Sequence, residues 1–130
     1  DYWINFDEEL PDQAHLAAFI KQIFKRQIMW LRENYTLKRL YRWELTTDNK
    51  FVKELRNKRE EKGIWLVEAV SKLSKHPKKE IAAMASIITA AISYLALLEE
   101  NCLKIQQESG WEELEEGINL LVDLWLQKQL

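Results

Sequence analysis

A chain of 130 residues and 15.5 kDa with 47% hydrophobic and 31% charged residues has the balance of one globular domain, too apolar for a disordered chain and too charged for an integral membrane bundle. Three glycines and two prolines are too few turn signals for many short strands, so the expected fold class is all-α: a compact bundle of four or five helices over residues 1–130, preceded within them by an aromatic and acidic arm at 1–10. The formal net charge of −2 conceals its own layout, because residues 21–79 hold 17 Lys/Arg against 7 Asp/Glu while both flanks are acidic.

The arm carries Tyr2, Trp3, Ile4 and Phe6, apolar surface that is expected to pack on the bundle and close one end of its core. Pro11 and Asp12 suit a helix start, and Leu16, Phe19, Ile20, Ile23, Phe24, Ile28 and Leu31 recur at three and four residue steps, which predicts an amphipathic helix over about 11–34. Leu37, Leu40, Tyr41 and Leu45 continue that spacing, as an extension or as a second helix after Asn34. Thr46, Thr47 and Asp48 offer side-chain oxygens to cap a helix beginning near Asn49.

That helix has Phe51, Val52 and Leu55, then no apolar stripe from Arg56 to Lys62, then Gly63 followed by Trp65, Leu66, Ala69, Val70 and Leu73. Either it projects into solvent over the polar stretch, or Gly63 marks a kink or loop. His76 and Pro77 close the segment, since the residue before proline is pushed out of the α region.

A long, largely buried helix is then expected near residues 77–108. Its uncharged run at 81–98 is long enough to span a membrane. Six alanines among those 18 residues, with Ser86, Thr89, Ser93 and Tyr94, favour a helix surrounded by other helices. Ala82, Ser86, Thr89, Ser93 and Ala96 form a small stripe expected to lie against a neighbour, beside a bulky one of Ile81, Met84, Ile88, Ile92 and Leu95. Gly110 is expected to break the helix, with Ser109 and Glu112 forming a capping box for a last helix built on Trp111, Leu114, Ile118, Leu121, Val122 and Trp125.

Catalytic parts are scarce. His15 and His76 are far apart, lack zinc-ligand spacing with any Cys or carboxylate, and read as surface or capping residues. The isolated glycines build no phosphate loop, and Cys102 reads as a small core residue. Neither enzymatic activity, nor a cofactor, nor a metal site is expected. The single cysteine, and first residues without a basic region and apolar run, lead to an expectation of a cytoplasmic chain that does not enter a membrane.

The basic centre is the stronger lead. Lys and Arg neutralise phosphates while exposed rings stack on unpaired bases, so Arg26, Arg39, Arg42, Arg56, Lys58 and Arg59 are candidate phosphate contacts and Tyr41 and Trp43 candidate stacking residues. Replacing Arg56, Lys58 and Arg59 together should leave thermal stability nearly unchanged if all three lie outside the core. The expected function is a non-enzymatic accessory subunit contacting nucleic acid, single-stranded in particular, or a protein of a nucleoprotein complex. The alternative is a protein-interaction or homo-oligomerisation module using the six tryptophans. A third arrangement sets the acidic last helix against the basic segment and masks it.

Overall fold

Asp12 caps the first turn: its carboxylate accepts the His15 backbone N–H at 3.1 Å and lies 2.6 Å from the imidazole Nδ1. The hydrogen bond with the His15 side chain holds the Asp12 carboxyl below its ordinary range. The structure is a computed structural model that describes residues 12–101 and 107–127. The arm at 1–10 and Cys102 therefore lie outside the described residues, as does the stretch between the last two helices. After a 3-10 turn at Gln13–His15 come α1 (Leu16–Glu33), α2 (Tyr35–Thr46), α3 (Lys50–Ser74), α4 (Lys78–Asn101) and α5 (Gln107–Gln127), with no strand among the described residues. The fold is an all-α helical bundle.

The boundaries follow from side-chain caps. Asn34 is extended (φ −114°, ψ 94°) and its side chain accepts the Leu37 N–H at 3.0 Å, so α2 is a separate helix and not a continuation of α1. Asn49 does the same for α3 through Val52 N–H at 2.9 Å. Thr46 belongs to α2, where its hydroxyl bonds back to the Arg42 and Trp43 carbonyls. α3 is continuous through Gly63, and its polar stretch is exposed except on the side of Arg56 and Arg59, which are half-buried. Lys75 ends it in the left-handed region at φ 64° and returns its N–H to the Ser71 carbonyl at 2.9 Å. The Ser71 hydroxyl donates to the His76 carbonyl at 2.7 Å, and Pro77 begins the hydrogen bonding of α4.

α1 and α5 run antiparallel, tied by Lys21 Nζ to Asp123 Oδ1 at 2.7 Å near one end and by the Arg32 guanidinium 5.2 Å over the Trp111 ring near the other. α5 also packs on α4, with α2 and α3 closing on α1 and α4. The core cluster draws on Ile20, Phe24 and Leu31 of α1, Ile88 and Ile92 of α4 and Trp111 and Val122 of α5.

Several expectations change. α5 packs chiefly against α1 and α4, setting Asp123 against Lys21 of the basic segment, but it leaves Glu112, Glu113 and Glu116 exposed. It runs through Ser109 and Gly110, because it starts at Gln107; a Cβ at Gly110 would meet Leu95 Cδ2 at an ordinary 3.8 Å. α4 is buried chiefly along the bulky stripe, with Ile81, Ile88 and Ile92 inside; of the small stripe Ala96 is buried and Thr89 and Ser93 are half-buried, while Ala82 and Ser86 are exposed and Ile87 and Tyr94 are 68% and 65% accessible. The helix is long and apolar enough to cross a membrane over Lys78–Leu98. It nonetheless contributes one face to the bundle core.

His76, expected at the surface, is 4% exposed. Its ring lies 4.3 Å from that of Trp125 at 37°, and its Nδ1 is 3.8 Å from the Glu80 carboxylate. This contact joins residues 49 positions apart, which no local pattern encodes. Gln27 is also buried, at 1% exposure, and neither amide atom has a hydrogen-bond partner. A buried amide left unpaired costs free energy that a hydrocarbon of similar volume would not. Gln27→Leu is expected to raise the unfolding free energy by about 1–2 kcal/mol, visible as a higher denaturant midpoint at unchanged slope; a fall would mean the site cannot accept a branched carbon.

Candidate nucleic-acid interface

Six of the eight residues selected from the basic segment divide into an inner group and an outer one. The inner group fastens α2 to α3. Lys38, Tyr41 and Glu44 form the buried side of α2, with Tyr41 8% and Glu44 7% exposed. Arg59 of α3 reaches over this side, its guanidinium 4.6 Å from the Tyr41 ring centroid and donating from Nη2 to Glu44 Oε2. Arg56 donates from Nη2 to the Glu44 backbone carbonyl at 3.1 Å.

Tyr41 therefore cannot offer a face to a base. Arg56 and Arg59 are half-buried and donate to Glu44, which turns them toward the α2–α3 junction. The physical reason is charge pairing across a helix junction: a carboxylate turned inward needs a cation brought to it. Leu45, which continued the apolar spacing, is instead 71% exposed, because the inward direction of α2 passes through Glu44.

The outer group faces solvent. Tyr35, Arg39 and Trp43 follow one another at four-residue steps on α2, and all three are exposed. The Arg39 guanidinium lies 5.7 Å over the Tyr35 ring and its Nη1 donates to the Tyr35 hydroxyl at 3.1 Å, so cation and ring are held as a unit. Trp43 meets Phe51 at the start of α3, with centroids 6.2 Å apart and planes at 44°. From Phe51 the surface continues along α3 through Lys58, Lys62 and Trp65, at steps of seven, four and three residues.

The result is a ridge of alternating rings and cations, roughly 12 Å along α2 and 21 Å along α3 at the helical rise. Glu54 and Glu61 border it and are exposed. Of the sequence candidates, Arg39, Trp43 and Lys58 belong to this ridge. Arg42 is half-buried on α2, and Arg26 is exposed on α1 with no described contact to the others.

Phe51 and Trp65 had been placed in the apolar stripe of α3, yet Phe51 is 59% and Trp65 44% exposed. Both share a face with Lys58 and Lys62, whereas buried Val52 and Val70 lie about 100° round the helix from Phe51; Ala69 returns to the same face and is buried, so spacing alone does not mark the exposed rings. Among the described residues, no three of His, Cys, Asp and Glu converge as metal ligands. No family model, curated protein or solved structure matches this chain.

Proposed function

We propose that this chain is a non-enzymatic, cytoplasmic helical accessory subunit that binds single-stranded nucleic acid through the outer ridge of α2 and α3. The observation that carries the reading is the exposed series Tyr35, Arg39, Trp43 and Phe51, three rings and a guanidinium on one side of a helix junction. An apolar ring left in water at a helix surface gains by stacking on a base, and Lys58 and Lys62 stand beside it to meet phosphate. A duplex hides its base faces, so the same ridge would grip it only through the cations. Within a nucleoprotein complex this surface would bind the nucleic-acid component.

The test is fluorescence anisotropy with a labelled mixed-sequence single strand at two salt concentrations. Trp43→Ala combined with Phe51→Ala should weaken binding by at least about 10-fold, since a stacked base is worth about 1–3 kcal/mol. Lys58→Gln combined with Lys62→Gln should weaken binding and flatten its salt dependence by about 0.7 per lost phosphate contact. If the double aromatic variant binds as the unmodified protein does, the ridge is not the site. Assembly that ignores salt and strand alike would favour the protein-interaction module.

A further inference from the structure

On its outer side α4 presents Lys79, Ala83, Ile87, Ala90 and Tyr94, all exposed and at steps of four, four, three and four residues, so they stand in one line along the helix. None of the helices packed on α4 covers this line, and Ile87 and Tyr94 are its most accessible large side chains. From Ala83 to Tyr94, roughly 16 Å at the helical rise, the line holds no charge, in a chain of which 31% is charged. Apolar surface kept clear of charge in this way marks a contact.

The order of sizes along the line identifies the partner. It reads small, large, small, large: Ala83, Ile87, Ala90, Tyr94. Laid antiparallel on a second α4 about a twofold axis between residues 88 and 89, Ile87 meets the partner's Ala90 and Tyr94 meets the partner's Ala83, because each pair is equally far from that axis. Every large side chain then has a small one opposite it, which lets the two helices approach to about 8 Å. One surface serves both chains, as an isologous contact requires. A parallel pair would set Ile87 on Ile87 and Tyr94 on Tyr94.

The charges favour the same order. The antiparallel pair carries Lys79 to the end of the partner's α4, beside which α5 begins with Glu112, Glu113 and Glu116 exposed, since Gly110 sits against Leu95. The parallel pair would face Lys79 with Lys79. An anionic lipid surface laid on α4 would meet those glutamates as a repulsion.

We propose that the outer line of α4 is the contact of an antiparallel dimer with a second copy of this chain. It uses no tryptophan and shares no residue with the α2–α3 ridge, so it does not depend on what the ridge binds. One helix face is small beside the roughly 800 Å² that each partner buries in a standard interface. The dimer is therefore a weak one, populated at about 100 µM and dissolved by dilution to about 1 µM, where Tyr94 returns to water.

Sedimentation of the full chain at these two concentrations reads the mass directly, and the upper one should give the dimer. Ala90→Glu, at an exposed position that the single chain accepts, should leave a monomer with unchanged helical circular dichroism. Leu124→Glu, in the apolar groove that Met84, Ile88 and Leu121 line between α4 and α5, should leave the dimer intact. The register is read in the Cys102→Ser chain carrying either Ala90→Cys or Ala83→Cys, treated with a short bismaleimide. Position 90 lies about 4–5 Å along the axis from its mate and position 83 about 16 Å, so Ala90→Cys should give linked dimers at least about tenfold faster. A monomer at both concentrations, a dimer that survives Ala90→Glu, loss of the dimer with Leu124→Glu, or equal linking rates would each overturn the proposal.

Discussion

Ile92→Ala is expected to lower the unfolding free energy by about 2–5 kcal/mol, and Tyr94→Ala to change it by no more than about 0.5 kcal/mol. The two residues are one apart on either side of Ser93, both large, both in the middle of α4. Ile92 is 0% exposed within a cluster that includes Ile88 and Ala96, whereas Tyr94 is 65% exposed. Truncating Ile92 removes buried carbon and leaves a space that rigid neighbours fill only in part. Truncating Tyr94 removes a ring from water and puts the best helix former in its place. Urea unfolding of the two variants reads the difference directly; comparable losses would mean that α4 is enclosed on all sides.

That contrast shows what the sequence of α4 could and could not carry. An uncharged run of this length has no polar face by which to orient the helix, so it reads as surrounded by other helices with its small stripe against a neighbour. Only the neighbouring helices decide which side is buried. α1 posed no such question, since charged and apolar residues alternate with the helical period and the buried residues are those the period selects, with Gln27 the exception.

The ends of α3 were legible to within a few residues because capping side chains and proline act locally, although the cap is Asn49 and not Thr46, Thr47 or Asp48, and the break at Asn34 stayed one of two readings. Gly110 misled, and Gly63 left the course of α3 open, because the helical cost of a glycine, about 1 kcal/mol, is small beside what tertiary packing gives the turns around it. His76 against Trp125 was beyond any local rule. In the basic segment, composition marked a region rich in cations and rings, but which of them turn inward depends on the buried Glu44, whose direction only the packing of α3 beside α2 decides.

Arg59→Gln is accordingly expected to destabilise the protein by about 2–4 kcal/mol, and the combined replacement of Arg56, Lys58 and Arg59 by glutamine by at least as much. The expectation that this triple replacement leaves stability untouched is reversed by the inner cluster. Glu44 is 7% exposed, its Oε1 has no hydrogen-bond partner, and Arg59 supplies the cation for Oε2 while covering the Tyr41 ring. Removing the guanidinium leaves a carboxylate in a site of low polarity with no cation held against it, the costly half of breaking a buried pair. The Arg59 side chain is itself 27% exposed, so water reaching the site reduces the cost below that of a fully enclosed pair. Adding Glu44→Gln to Arg59→Gln should recover much of the loss, because two neutral amides can bond to each other and neither carries a charge to desolvate. Lys58→Gln alone, on the exposed face, should leave the midpoint within about 0.5 kcal/mol of the parent. Denaturant midpoints for the single, double and triple variants close the cycle; additivity of Glu44→Gln and Arg59→Gln would show that the two side chains do not act as a pair. The same set of variants separates folding from binding. Any nucleic-acid affinity lost with Arg59→Gln and regained with Glu44→Gln belongs to the α2–α3 junction, and affinity lost with Lys58→Gln at constant stability belongs to the ridge.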